Sequence, residues 1–139
     1  MNLCGGVLYT HEGQQVRTFF PNPHAQLPVR QRRGDVVLLP WGRRQRQPGK
    51  LPLGGWARHE SIQEGRWDRW NPIPVKLIVD EFMEKDHEGV SHWFMVTTGK
   101  WIQGLVATWE EERRVYVVTI TPEMDNAVHD RWPRILAGD

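Results

Sequence analysis

Val115-Tyr-Val-Val-Thr-Ile120 is the strongest strand signal in the chain. Its residues are almost all β-branched or aromatic, which is typical of a buried strand. The next three residues, Thr121-Pro-Glu123, form a helix start, with a threonine cap, a proline in the first position and an acid in the first turn. We therefore expect a short helix from Thr121 to Val128, ended before Pro133.

Apolar runs on the N-terminal side predict five further strands, separated by long loops. They are Gly5–Tyr9, Asp35–Pro40, Val75–Val79, Trp93–Thr97 and Trp101–Trp109. Gly104, inside the last run, indicates a bulge or a close backbone approach. The prolines of residues 21–34 predict a loop there. About six strands with few helices make an α+β, mainly β, single domain.

Three connecting segments are harder to interpret. Residues 43–55 (RRQRQPGKLPLGG) are polar and rich in proline and glycine. They form either a mobile loop or an ordered loop that needs a ligand. Ala57–Gln63 forms a short helix or a turn, and Trp67–Pro74 is expected to be irregular.

Length and composition exclude several classes of protein. With 139 residues, 39% hydrophobic and 25% charged, the chain matches an ordinary globular domain rather than a disordered one. No apolar run approaches the roughly 18 residues of a membrane span, and the N-terminus lacks the features of a secretory signal. The single cysteine, Cys4, excludes an internal disulfide framework and a cysteine-cluster zinc site. We expect a cytoplasmic, nucleoid-associated protein with no membrane partner.

Charge is unevenly distributed along the chain. The net charge is only +1, yet residues 1–70 carry eleven Lys/Arg against five Asp/Glu, and residues 71–139 carry seven against twelve. Six arginines fall within residues 30–46, opposed only by Asp35. Arginine interleaved with tryptophan is typical of single-stranded nucleic acid binding, because guanidinium groups contact phosphates and rings stack on bases. A solvated basic loop beside core tryptophans is the second interpretation.

Three residues could carry chemistry, although none is compelling alone. Cys4 is the only thiol, and a lone cysteine is more often a small buried residue. His129 follows the expected helix beside Asp130 and is suited to proton transfer, but is more often a surface residue or cap. Glu84 follows a predicted strand, where acids are usually solvated. His87 and His92 lie where a hairpin turn is expected, and their spacing matches no standard metal site.

The order of these residues, together with several short motifs, resembles the SRAP family (SOS-response-associated peptidases, which include the abasic-site sensor of animal cells). Residues 118–136 (VTITPEMDNAVHDRWPRIL) are similar to the family's strand followed by Thr-Thr-x-Ala-Asn and His-Asp/Asn-Arg-Met-Pro-Val-Ile-Leu. Residues 80–85 (DEFMEK) resemble the family's Asp-Gly-Phe-Tyr-Glu-Trp. Shorter likenesses are Cys4-Gly5-Gly6 to Cys-Gly-Arg, Trp41-Gly42 to Trp-Gly, residues 56–60 (WARHE) to Asn-Ala-Arg-Ala-Glu, and residues 102–106 (IQGLV) to an Ala-Gly-Leu-Trp strand.

The resemblance implies an SRAP-like domain over residues 1–139, with a curved sheet or barrel-like core and no cofactor or metal ion. Family members bind single-stranded DNA and link covalently to abasic sites. The α-amine of the N-terminal cysteine attacks the ring-opened sugar aldehyde, and its thiol closes a thiazolidine. An α-amine suits this step because its reference pKa is about 2.5 units below that of lysine. Cys4, Glu84 and His129 match the catalytic positions, and we expect a monomer.

DNA contacts are expected from two sources. Arg58, Trp41 and Arg131 match places where the family contacts DNA. The basic segment adds Arg43 and Arg44. Trp56 stands where the family has asparagine and adds a stacking ring.

Departures from the family pattern leave several functions open. Here Met1-Asn2-Leu3 precede Cys4, whereas the family cysteine directly follows the initiator methionine. The chain therefore either removes residues 1–3 itself, using Cys4, Glu84 and His129, or is a non-catalytic single-stranded DNA binder that has lost crosslinking. Two more functions stay open, those of a thiol-dependent self-processing enzyme and of a domain without surviving activity.

Overall fold

The computed structural model describes residues 5–121 and 131–138, which form mainly β-structure with few short helical segments. This confirms the predicted fold class. The strands within these ranges are β1 (Gly6–His11), β2 (Gln14–Phe19), β3 (Gln26–Arg30), β4 (Val36–Pro40), β5 (Trp56–Arg58), β6 (Ile73–Leu77), β7 (Glu81–Lys85), β8 (Ser91–Met95), β9 (Lys100–Trp109), β10 (Glu112–Ile120), β11 (Trp132–Pro133) and β12 (Ile135–Ala137). Helix α1 is His59–Gln63, and a 3-10 turn covers Asp68–Trp70.

The larger sheet is built around β10, which contains the VYVVTI run. Its order is β11-β10-β9-β6-β3-β4, with β5 added to β10 and β12 added to β9. One isolated β-bridge, between Trp41 and Val115, connects the residue that follows β4 to β10. The described part of the sheet is therefore strongly curved but does not close into a barrel, so the curved sheet is the confirmed form of the expected core.

The smaller sheet has the order β2-β1-β7-β8. A two-residue turn, Glu12-Gly13, joins β1 to β2, with positive φ values of 51° and 79°. Positive φ at both positions matches the twist of a tight hairpin. The turn between β7 and β8 closes with a hydrogen bond from the Asp86 amide to the Val90 carbonyl oxygen, which confirms the hairpin expected there.

Side chains from both sheets share one apolar core. Val7 and Phe82 of the smaller sheet pack in the same cluster as Leu27, Val106 and Val117 of the larger one. Alternation along a strand sends neighbouring side chains to opposite faces. A second cluster accordingly covers the other face of β9 and β10, with members Leu51, Ala57, Trp67, Leu105, Ala107, Tyr116 and Val118.

Three expectations about the elements were wrong. The loop predicted over residues 21–34 contains β3, where Pro28 is tolerated because the ladder to β6 includes only Val29 and Arg30. Strand β2 (QQVRTF) was missed because it is mostly polar and exposed. Glu84 does not follow a strand but lies inside β7.

At Gly104, where a bulge or a close backbone approach was expected, the close neighbour is the side chain of Leu77. A Cβ built there would lie 2.9 Å from Cγ of Leu77, so the absence of a side chain lets Leu77 pack onto β9. The helix expected from Thr121 to Val128 falls on residues 122–130, outside the described ranges. No helix among the described residues is long and apolar enough to cross a bilayer.

Candidate functional site

Glu84 is a fully buried carboxyl group. It lies in β7, and its exposed fraction is 0%. Glu84 and Phe82 are two residues apart, so both side chains point to the face that carries the shared core. Burial raises the pKa of Glu84 to about 8, because a carboxylate is disfavoured away from water. A protonated carboxyl is thus present near neutral pH, where the sequence indicated a solvated acid.

Gly5 ties the N-terminal segment to the strand that carries Glu84. Its amide donates to the carbonyl oxygen of Met83 at 2.9 Å, and its own carbonyl oxygen accepts from the Phe20 amide at 3.0 Å. At Gly6 an added Cβ would lie 2.9 Å from the Phe19 ring, so glycine at this position lets the ring pack against the backbone of β1. Cys4 itself lies outside the described residues. The residue that follows it is attached beside Glu84.

The C-terminal segment returns to the same strand through Trp132. The indole centroid lies 5.2 Å from that of Phe82 and 5.0 Å from that of Phe94. His129 belongs to residues 122–130 and lies outside the described ranges. Gly5 and Trp132 therefore both contact β7, and Glu84 is the one catalytic candidate among the described residues.

Arg131 holds the two flanks of residues 122–130 together. Its guanidinium donates to Oγ1 of Thr121 at 3.1 Å and to the carbonyl oxygen of Thr119 at 2.7 Å. It also donates to both carboxylate oxygens of Glu60, at 2.8 and 2.9 Å. This bidentate contact holds the pKa of Glu60 down at about 2.

Arg131 was expected to contact DNA, but the structure buries its side chain. It is only 4% exposed, and its donors are taken up by Glu60 and the two threonines. Glu60 was missed by sequence reasoning. The two residues are 71 positions apart, and no local spacing signals such a pair.

Trp41 and Trp56 form an aromatic cluster with Phe20. Trp41 is 0% exposed and donates its indole N–H to the carbonyl oxygen of Gly55 at 3.0 Å. Its ring lies 5.5 Å from Phe20 and 5.9 Å from Trp56, between centroids. Trp41 therefore has no ring face for a base to stack on. Trp56 is partly exposed, and its ring packs 4.8 Å from Phe20.

Arg43 and Arg44 organise the loop over residues 43–55. Arg43 donates to the carbonyl oxygens of Leu51 and Gln47 at 2.7 and 2.8 Å. Arg44 donates to those of Phe20 and Trp41, both at 2.7 Å, and its guanidinium carbon lies 4.0 Å from the Phe20 ring centroid. The loop is therefore ordered rather than mobile, and contacts within the chain order it.

Arg58 is the exposed cation among the six residues expected to bind DNA. It lies in β5, which runs parallel to β10 with Arg58 opposite Thr119. Its side chain makes no ion pair with any described residue. Arg58 is therefore exposed to solvent near Glu60, whose pKa its charge helps to lower.

The two histidines of the β7–β8 hairpin have different surroundings. Nε2 of His92 lies 2.8 Å from Oδ2 of Asp86, and His87 is exposed. Over the part of the chain that the structure describes, no group of three or more His, Cys, Asp or Glu side chains is arranged to hold a metal ion.

Comparisons of this chain with protein-family models, with curated proteins and with solved structures found no match.

Proposed function

We propose that this chain is an SRAP-like protein that binds single-stranded DNA and captures abasic sites covalently through Cys4. The observation that carries the proposal is the hydrogen bond of Gly5 to Met83, which attaches the residue after Cys4 to the strand that carries the buried carboxyl of Glu84. The order of motifs along the sequence supports it independently.

The proposed chemistry condenses an aldehyde with an aminothiol. The α-amine of Cys4, once residues 1–3 have been hydrolysed away, adds to the aldehyde carbon of the ring-opened sugar. The resulting carbinolamine loses its hydroxyl group as water and becomes an imine. The thiol then adds across the C=N bond, with its proton passing to nitrogen, and one thiazolidine and one water result.

Glu84 is suited to the dehydration step. Loss of hydroxide from a carbinolamine needs a proton donor, and a carboxyl with a pKa of about 8 is mostly protonated at neutral pH. In this proposal Glu84 donates that proton, recovers one from the nitrogen of the protonated imine, and then relays the thiol proton to that nitrogen. His129 is proposed as the second proton carrier.

A denaturing-gel assay with abasic single-stranded DNA tests the proposal. A chain that begins at Cys4 should give a heat-stable adduct, and its Cys4→Ala variant should give none. Absence of an adduct from the chain that begins at Cys4 would show that crosslinking is not its function.

One observation favours a second function, that of a single-stranded DNA binder without crosslinking. Trp56, at the family's asparagine position, packs its ring against Phe20, so a polar group of the family site is replaced by an aromatic one. Such a binder would retain salt-sensitive DNA binding in Cys4→Ala. It would depend on the exposed charge of Arg58.

A further inference from the structure

A groove opens where β3 and β6 separate. The ladder between these strands contains only Val29 with Leu77 and Arg30 with Lys76. The first residues of β6, Ile73–Val75, pair with β9 on one side and border the groove on the other. Its volume is about 580 Å³.

The groove continues across the larger sheet as a second depression of about 310 Å³, which shares Pro74, Val75 and Lys76 with the first. Val75 packs against the shared core, so the adjacent Lys76 points to the opposite face. Glu84 lines neither depression and points into the shared core. The groove is therefore separate from the candidate site.

Among the residues that the structure describes, every charged side chain that lines this groove is a cation. They are Arg30, Arg32, Lys76, Arg113 and Arg134. None of them forms an ion pair with a described carboxylate, although other arginines in the chain do. A row of positive charge along a concave surface attracts a polyanion.

The groove also offers apolar surface between its charges. Pro74 is exposed and lines both depressions, on the same face of β6 as Lys76. At the far end the Trp101 indole N–H is held by the carbonyl oxygen of Gly138 at 3.0 Å, and Nζ of Lys76 lies 4.9 Å from its ring centroid. Cations combined with apolar and aromatic surface are what a single strand needs, because its phosphates and bases must both be accommodated. An inorganic phosphate chain or an acidic peptide would use the charges alone.

We infer that this groove is a second binding surface for single-stranded nucleic acid, on which arginines contact phosphates and Pro74 and Trp101 contact bases. The inference rests on the proposed function for the class of ligand but not for the chemistry at Glu84. The groove would hold the strand at a distance from the site that Glu84 marks.

A charge-matched pair of full-length triple variants tests this inference. Arg30→Gln/Arg32→Gln/Arg113→Gln removes three groove cations. Arg46→Gln/Lys50→Gln/Arg66→Gln removes three exposed cations that do not line the groove. Binding to fluorescent oligothymidine is measured by anisotropy over a range of salt concentrations, and far-UV circular dichroism checks that both variants fold.

The groove variant should bind about tenfold more weakly, and its slope of log affinity against log salt should fall by about 0.7 for each lost contact. Its control should stay within about threefold of the wild type. If the triple variant does not fold, the single variant Arg32→Gln should reduce the slope by about 0.7. Equal affinities of the groove variant and its control would overturn the inference. The inference would also be overturned if inorganic polyphosphate competed for the groove as well as unlabelled oligothymidine does. The bases would then contribute nothing to binding.

Failure of the inference can be told apart from failure of the proposed function. Loss of the groove leaves adduct formation at Cys4 possible. A chain that binds oligothymidine through the groove but never forms an adduct contradicts the proposed function alone.

Discussion

The amide of Gly5 donates to the carbonyl oxygen of Met83 at 2.9 Å, so the residue after Cys4 is bonded to the residue before Glu84. This one bond joins the N-terminal segment to the strand that carries a fully buried carboxyl group. Trp132 packs on Phe82, two residues before Glu84 on the same strand. Gly5 and Trp132, which lie near Cys4 and His129 in the sequence, therefore both contact β7.

Glu84 should make the stability of the protein depend on pH. Its pKa in the fold, about 8, is above its ordinary value of 4.5, so between these values the folded chain holds a proton that the unfolded chain has lost. The stabilisation is complete below about pH 4.5 and is lost as the pH rises through 8. We expect the unfolding free energy of the wild type to fall over this window, by up to about 1.4 kcal/mol per unit of pH. Chemical denaturation at several pH values measures it.

The matched control for this effect is Glu84→Gln, which keeps the shape of the side chain but cannot ionise. The unfolding free energy of this variant should change less with pH over the same window. Relative to the wild type, the variant should therefore become more stable as the pH rises. Parallel curves for the two proteins would contradict the assignment of a raised pKa to Glu84.

Arg131→Met should destabilise the fold by about 2 to 4 kcal/mol. The methionine keeps much of the volume but removes the donors to Glu60 and to the Thr119 carbonyl oxygen. Glu64→Gln is the control, because Glu64 pairs with Arg66 at 3.0 Å between two largely exposed side chains. That change should cost less than about 0.5 kcal/mol. Equal losses in thermal melts would show that the Arg131 pair does not anchor the fold.

The same ion pair predicts acid sensitivity. Because the pKa of Glu60 is lowered to about 2, its stabilising contribution is present above about pH 4.5 and is lost as the pH falls through 2. Glu60→Gln should lose part of this acid dependence, as followed by tryptophan fluorescence during acid unfolding. An unchanged acid midpoint and steepness would argue against the pair.

Arg44→Met should loosen residues 43–55. Its donors to the carbonyl oxygens of Phe20 and Trp41 are lost, and we expect a destabilisation of about 1 to 3 kcal/mol with faster proteolysis in this loop. The exposed Arg46 is the natural control, and Arg46→Met should change stability by less than about 0.5 kcal/mol. Comparable cleavage rates for both variants would mean that Arg44 does not order the loop.

Much of the larger sheet is predictable from sequence, and much of the smaller one is not. β9 and β10 are long apolar runs buried on both faces, so composition alone identifies them. β2 and β7 contain polar residues at many positions, and their pairing with β1 makes them strands. The sequence pattern of β2 or β7 does not show that β1 pairs with it.

The candidate site, too, was only partly predictable from sequence. Motif order selected Glu84, but its burial depends on β1 and β8, the strands that pair with β7 on either side. The basic segment was recognised by its composition, whereas the use of Arg43 and Arg44 depends on carbonyl groups up to 24 residues away. The groove cations come from four separate parts of the chain, so no window of sequence brings them together.

The central claim is tested most directly by the intact mass of the product formed with abasic single-stranded DNA. A chain that begins at Cys4 should give one species whose mass is the sum of protein and oligonucleotide less one water, and the adduct should map to Cys4. Glu84→Gln should form it more slowly, and Cys4→Ala should not form it. A chain that begins at Cys4 and stays at its own mass with this DNA, while remaining folded, would contradict the account.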